Sequence, residues 1–131
     1  MPARFDHLTI SATDFAASLA FYDAALGAIG LRRIVEFGDE EDGGAALEAA
    51  GWGADGHAVL WLVAGSEPTH GAHLCLRASS RGEVEAFHRA AVQHGGRSHD
   101  APRRWALYRR GAFHAMVHDP DANLIEAVSP E

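Results

Sequence analysis

The sequence contains no lysine. All eleven basic residues are arginine, which excludes covalent chemistry through a lysine amine. No phosphate-loop pattern is present either, so a nucleotide fold is not expected. Cys75 is the only cysteine, so no intrachain disulfide can form, which fits a reducing compartment. No run approaches the roughly 20 apolar residues of a membrane span. The opening Met-Pro-Ala-Arg-Phe-Asp-His lacks the apolar core of a signal peptide, and the expectation is a cytoplasmic protein without a membrane partner. Positive charge is scarce overall. With a formal net charge of −7 the surface repels phosphate, which argues against a nucleic-acid partner.

What is present is an ordinary globular composition, 47% apolar and 22% charged, over 131 residues, enough for a single domain with its own core. Nine histidines are many for this length. They hint at metal or acid–base work, with surface histidines as the plainer alternative.

The chain repeats itself. Shifted by about 66 positions, residues 7–30 fall on residues 73–96, with His7 on His73, Leu8 on Leu74, Phe21 on Phe87 and Gly30 on Gly96. Module 1 covers about residues 1–65 and module 2 about residues 71–131, joined by the linker Gly65–Gly71 with its Pro68. In the first, Phe5–Ser11 alternates as a strand does, with Leu8 and Ile10 on one face and His7, Thr9 and Ser11 on the other. Phe15, Leu19, Tyr22, Leu26 and Ile29 then form a helical stripe that Asp14 can cap. Strands are expected at Leu31–Phe37, Ala45–Ala49 and His57–Ala64, with the acidic run Asp39–Asp42 and Gly43-Gly44 as a hairpin loop. In the second unit a strand at Ala72–Ala78 precedes a helix opened by a capping box, Ser80 with Glu83, and closed at Gly95-Gly96. Strands near Arg97–His99, at Ala112–His118 and at Leu124–Ser129 complete it. Two βαβββ units imply an α+β fold whose two sheets curl around a shared cavity.

His7 and His73 lie on the first strands of their units, on the face opposite the apolar pairs, so a duplicated fold turns both toward that cavity. Either alone could be a hydrogen-bonded core histidine. Glu126 sits inside Leu124-Ile125-Glu126-Ala127-Val128, where an unpartnered carboxylate would cost several kcal/mol to desolvate. It needs a metal, a protonated state or a cation, and Arg77 is the structural candidate. Two histidines and one carboxylate suit iron(II), manganese(II) or a similar ion, and three protein ligands leave open positions for chemistry.

Phe5-Asp6-His7-Leu8, Ser18–Leu26, Ala72-His73-Leu74 and His118–Glu126, in this order, resemble the vicinal oxygen chelate superfamily of glyoxalase I, extradiol dioxygenases, and fosfomycin and bleomycin resistance proteins. The family turn Asp-Pro-Asp-Gly-Asn has Ala122 in place of glycine, so the turn must avoid a positive φ there or carry strain. The resemblance implies one divalent ion per chain (iron, manganese, nickel or zinc) on His7, His73 and Glu126, a small-molecule substrate chelated through vicinal oxygens, and a homodimer. Glyoxalase I usually adds a carboxylate from the last strand of the first unit, and the 66-residue shift puts Leu60 there.

Further candidates surround this set. His114 shares a strand face with Met116 and His118 and can act as a general acid or base, or simply hydrogen-bond. Tyr108 is a weaker candidate, and Thr9 can orient a substrate oxygen. Arg103, Arg104, Arg109 and Arg110 around Trp105 form either an anion clamp or a solvated hairpin. Cys75 shares the His73 face, while Trp52, Trp61 and Phe113 are expected in the core or a subunit contact. The reading is a metal-dependent enzyme of the dioxygenase or lyase/isomerase kind, with an antibiotic-type small-molecule binding protein that performs no turnover as the alternative.

Overall fold

The structure is a computed structural model that describes residues 1–38, 47–106 and 110–130. The acidic run Asp39–Asp42 and its glycines, Tyr108 and Arg109 lie outside the described residues.

The first unit comprises β1 (Leu8–Ala12), α1 (Phe15–Gly27), β2 (Arg32–Gly38), β3 (Leu47–Ala54) and β4 (His57–Ala64). The second comprises β5 (His73–Arg77), α2 (Arg81–Gln93), β6 (Arg97–Arg104), β7 (Phe113–His118) and β8 (Leu124–Ser129). Each unit forms its own four-stranded sheet with the same order, β1-β4-β3-β2 and β5-β8-β7-β6. In each, the strand before the helix pairs in parallel with the last strand, and the remaining pairs are antiparallel. The duplication legible in the sequence is therefore a duplication of topology.

Local chemistry starts the helices. The Asp14 carboxylate accepts from the Ala17 backbone N–H at the start of α1. Ser80 Oγ accepts from Glu83 N, while the Glu83 carboxylate accepts from Ser79 N, one residue earlier than a strict capping box requires. Phe21, Tyr22 and Leu26 of α1, Val84 and Phe87 of α2, and the helix-facing residues of both sheets bury into one cluster. Gly96 is required where the units meet, because a Cβ there would lie 2.7 Å from the Phe21 ring and 2.6 Å from the Ala91 carbonyl oxygen.

Two strands run further than their sequences indicate. β3 continues through Gly51-Trp52-Gly53 because Trp52 is fully buried and donates its indole N–H to Asp23 of α1. Gly53 admits the close approach of the His57 carbonyl at the irregular end of the β3–β4 ladder. Gly51–Gly56 has the GxGxxG spacing, yet it ends β3 and turns into antiparallel β4 rather than into a helix, so it provides no helix N-terminus for a dinucleotide. β6 continues past Pro102 because it is an edge strand, where a missing N–H is tolerated.

Candidate functional site

Strand register sorts the second sheet into two faces. Ala115, Val117, Ile125 and Ala127 face the helices and the core. The opposite face carries His73 and Cys75 of β5, Glu126 of β8, and His114 and Met116 of β7, with Glu126 directly between Cys75 and Met116. A one-residue slip would send Glu126 into the core.

Glu126 is fully buried, and both of its oxygens have imidazole partners. Oε1 lies 2.8 Å from His73 Nε2 and Oε2 lies 2.7 Å from His114 Nδ1. An ionised carboxylate only accepts, so in that state both histidines donate to it, which offsets the cost of burying the charge. The two donors differ in access. The His73 side chain is 42% exposed, whereas His114 is fully enclosed. The other edge of His114 faces Asp100, with Nε2 3.3 Å from Oδ2, an ion-pair distance without hydrogen-bond alignment. Asp100 also accepts from Arg103, whose guanidinium lies 4.2 Å from the centre of the Trp105 ring. Trp105 in turn stacks on His114, with centroids 5.2 Å apart and planes within 11°.

The turn Asp119–Asn123 sets this register. Asp119 Oδ1 accepts from the backbone N–H of Asp121 and Asn123, while Oδ2 accepts from Asn123 Nδ2 and the Tyr22 hydroxyl. Asn123 reaches back across the linker, accepting from Ala72 N and donating to Thr69 O. Leu124 N then donates to Ala72 O, which fixes where β8 starts against β5 and so brings Glu126 beside His73.

His7 lies one residue before β1, half-exposed, with Nδ1 2.8 Å from Asp6 Oδ2. That hydrogen bond holds the Asp6 carboxyl below its usual range. His57 Nε2 is 3.0 Å from the Asp6 carbonyl oxygen and so ties this segment to β4. His7 and His73 both line one cavity of about 420 Å³, together with Leu8, Val59 and Cys75. A second cavity of about 470 Å³ joins His7 to Trp61, Ile34 and Val35. Thr9 is exposed, in register with Trp61. His73 and Glu126 offer a divalent ion a suitable pair, one imidazole nitrogen and one carboxylate oxygen side by side. His7 shares their cavity without joining the pair, and among the described residues no three His, Cys, Asp or Glu side chains gather into a metal-holding group.

One sequence inference is corrected by register. Leu8 pairs with Leu60 as Leu74 pairs with Ile125, so the first-unit counterpart of Glu126 is Trp61, not Leu60. Leu60 is buried toward the helix, while Trp61 stands on the opposite face, stacked on Phe37 with planes within 4°. No carboxylate occupies that position either way. Trp52 belongs to the core and Phe113 packs against it. The part played by Asp100 and Trp105 around His114 had no local signal, because irregularities in the β6–β7 ladder between Ser98 and Arg103 decide which residues face His114.

In fold the chain is similar to a glyoxalase/bleomycin resistance protein from Albidiferax ferrireducens T118, with 25% identity and TM-score 0.75, covering 97% of this chain and 98% of that one. It is also similar to a lactoylglutathione lyase from Agrobacterium tumefaciens (18% identity, TM-score 0.64, 98% and 94% covered). A third similar structure is the V278E mutant of glyoxalase I from Zea mays (20% identity, TM-score 0.68), of which this chain spans 45% while 95% of its own length is covered. No curated protein matches it in sequence. Residues 4–127 match the Glyoxalase/Bleomycin resistance protein/Dioxygenase superfamily, and the chain, two copies of one four-stranded unit, belongs to that superfamily.

Proposed function

We propose that the chain is a divalent-metal-dependent enzyme of the glyoxalase/dioxygenase type, acting on a small molecule chelated through two neighbouring oxygens. The observation that carries this reading is the pair His73 and Glu126, 2.8 Å apart, with Glu126 completely buried beside a solvent-accessible imidazole. In the absence of a metal a proton bridges the two groups, and a divalent ion would exchange for it. His7, which lines the same cavity as His73, is the proposed third ligand. A bound ion would supply Lewis-acid stabilisation of a developing oxyanion on the substrate. Thr9 is proposed to orient a substrate oxygen. The aromatic pair Trp61 and Phe37 forms an apolar wall near His7. Tryptophan in place of a fourth carboxylate argues against glyoxalase I chemistry and leaves oxygenation or another lyase or isomerase reaction.

We also propose a homodimer. Phe5, Leu8, Ile34, Phe37 and Val59 are large apolar side chains exposed on the first unit, and exposure of such a set favours coverage by a partner. A second reading, a small-molecule binding protein without turnover, is favoured by the apolar cavity beside His7 and by the separation of His7 from the His73–Glu126 pair.

The deciding experiment is elemental analysis of anaerobically purified protein beside Glu126→Gln. About one transition metal per chain, lost in the variant, supports the enzyme. Iron directs the substrate screen to oxygenation, nickel or zinc to isomerisation, and manganese to transfer. No metal in either, even after reconstitution, moves the assignment to the binding protein.

A further inference from the structure

His114 is the one histidine of the described residues that is fully buried. Its ring is held by Glu126 and Trp105, and its remaining edge lies near Asp100. Nδ1 donates to Glu126 Oε2 at 2.7 Å, one face lies against Trp105, and the Nε2 edge points to Asp100 at 3.3 Å. With no exposed edge, the imidazole has no path to a substrate in the cavity that His73 lines. Turning the ring by half a revolution would put a carbon against Oε2 and leave a buried carboxylate oxygen without that donor.

We infer that His114 is a positioning residue: by holding Glu126 Oε2 from behind, it fixes the carboxylate with Oε1 presented to His73 and to a cation bound there. The inference rests on the proposed metal site and adds to it a residue that is not a ligand. Without His114, Glu126 could rotate and satisfy itself elsewhere, and the site would lose its preorganisation. Partners that orient ligating groups typically change metal affinity by about 10–100-fold. Trp105, stacked on the ring, serves the same end by limiting its other orientations.

Two measurements decide the point. In the metal-free protein, long-range 1H–15N spectra of the histidine rings report the tautomer of His114 and the state of His73. The Nδ1–H form is expected for His114. In His114→Leu the His73 ring signals should shift, because Glu126 is no longer held against that ring. An Nε2–H tautomer, or His73 signals unchanged in the variant, would overturn the inference. Calorimetric titration with Mn2+ is the second measurement. Wild type and His114→Asn, whose amide can still donate to Oε2, should bind alike, and His114→Leu should bind about 10–100-fold more weakly. Equal affinity in a His114→Leu protein that remains folded by circular dichroism would equally overturn it. If wild type takes up no Mn2+ while the spectra behave as expected, the metal reading fails and the orienting contact stands. Should His114→Leu not fold, the wild-type tautomer and the His114→Asn titration still discriminate.

Discussion

The Tyr22 hydroxyl donates to Asp119 Oδ2 over 2.5 Å, a buried bond that joins the helix of the first unit to the turn that sets the register of the second. Burial and the neighbouring carboxylate push the Tyr22 hydroxyl well above its ordinary pKa, so it remains a donor at any working pH. Because the bond is charge-assisted, Tyr22→Phe should cost about 1.5–3 kcal/mol of unfolding free energy. Asp119→Ala should cost more, since it removes the acceptor for three further N–H donors, those of the Asp121 and Asn123 backbones and the Asn123 amide. The same loss should loosen the β5–β8 register on which the His73–Glu126 contact depends. Urea unfolding of both variants checks the order. A Tyr22→Phe protein as stable as wild type would show the bond to be energetically silent.

Ala122 takes the position where the family turn has glycine, and its φ is +66°. The turn has therefore kept the glycine geometry and placed an alanine in it. The left-handed conformation costs an L-residue roughly 1–2 kcal/mol, partly offset by the greater freedom glycine gains on unfolding. Ala122→Gly is expected to stabilise the domain by up to about 1 kcal/mol, readable as an increase in Tm. A lower Tm would mean that the Ala122 methyl makes contacts worth more than the strain.

Much of this architecture was legible in the sequence because duplication leaves marks in pairs. His7 with His73 and Gly30 with Gly96 could be aligned without any structure, and they locate both first strands and both helix ends. What could not be read was anything that depends on register. A shift of 66 is right for the helices, Phe15–Gly27 and Arg81–Gln93, but is out by one residue by the last strands, so Leu60 stood where Trp61 belongs. Side chains alternate faces along a strand, so that single residue exchanges a core leucine for a cavity tryptophan. The same limit applies to Glu126. Its place in an apolar run showed that it must be partnered, but pattern alone could not identify His114, twelve residues away and on the neighbouring strand, as one of the partners. Arg77, on the His73 face, is the partner that the sequence suggests because it is a formal cation, and the two imidazole contacts carry no such mark in the sequence.

Acid should weaken the fold through two histidines away from the candidate metal site. Desolvation lowers the pKa of His88, which shares a 2.8 Å hydrogen bond with Ser98 Oγ. Desolvation is also the main cause for His118, whose Nδ1 is buried without a hydrogen-bond partner among the described residues. Arg97 and His99 lower it further, and Asp119 opposes them. Both folded-state values lie below the unfolded value of about 6.5, so on acidification the unfolded chain takes up these protons first. Stability rises with pH wherever the unfolded state binds more protons. The contribution of these histidines is therefore complete above about pH 6.5 and declines as the pH falls from there toward the folded-state values. Urea midpoints at pH 8, 7, 6 and 5 should be level between the first two and fall thereafter, and His88→Gln should fall less steeply than wild type. A variant with the same slope would assign the acid sensitivity to other groups and leave His88 with no thermodynamic share in it.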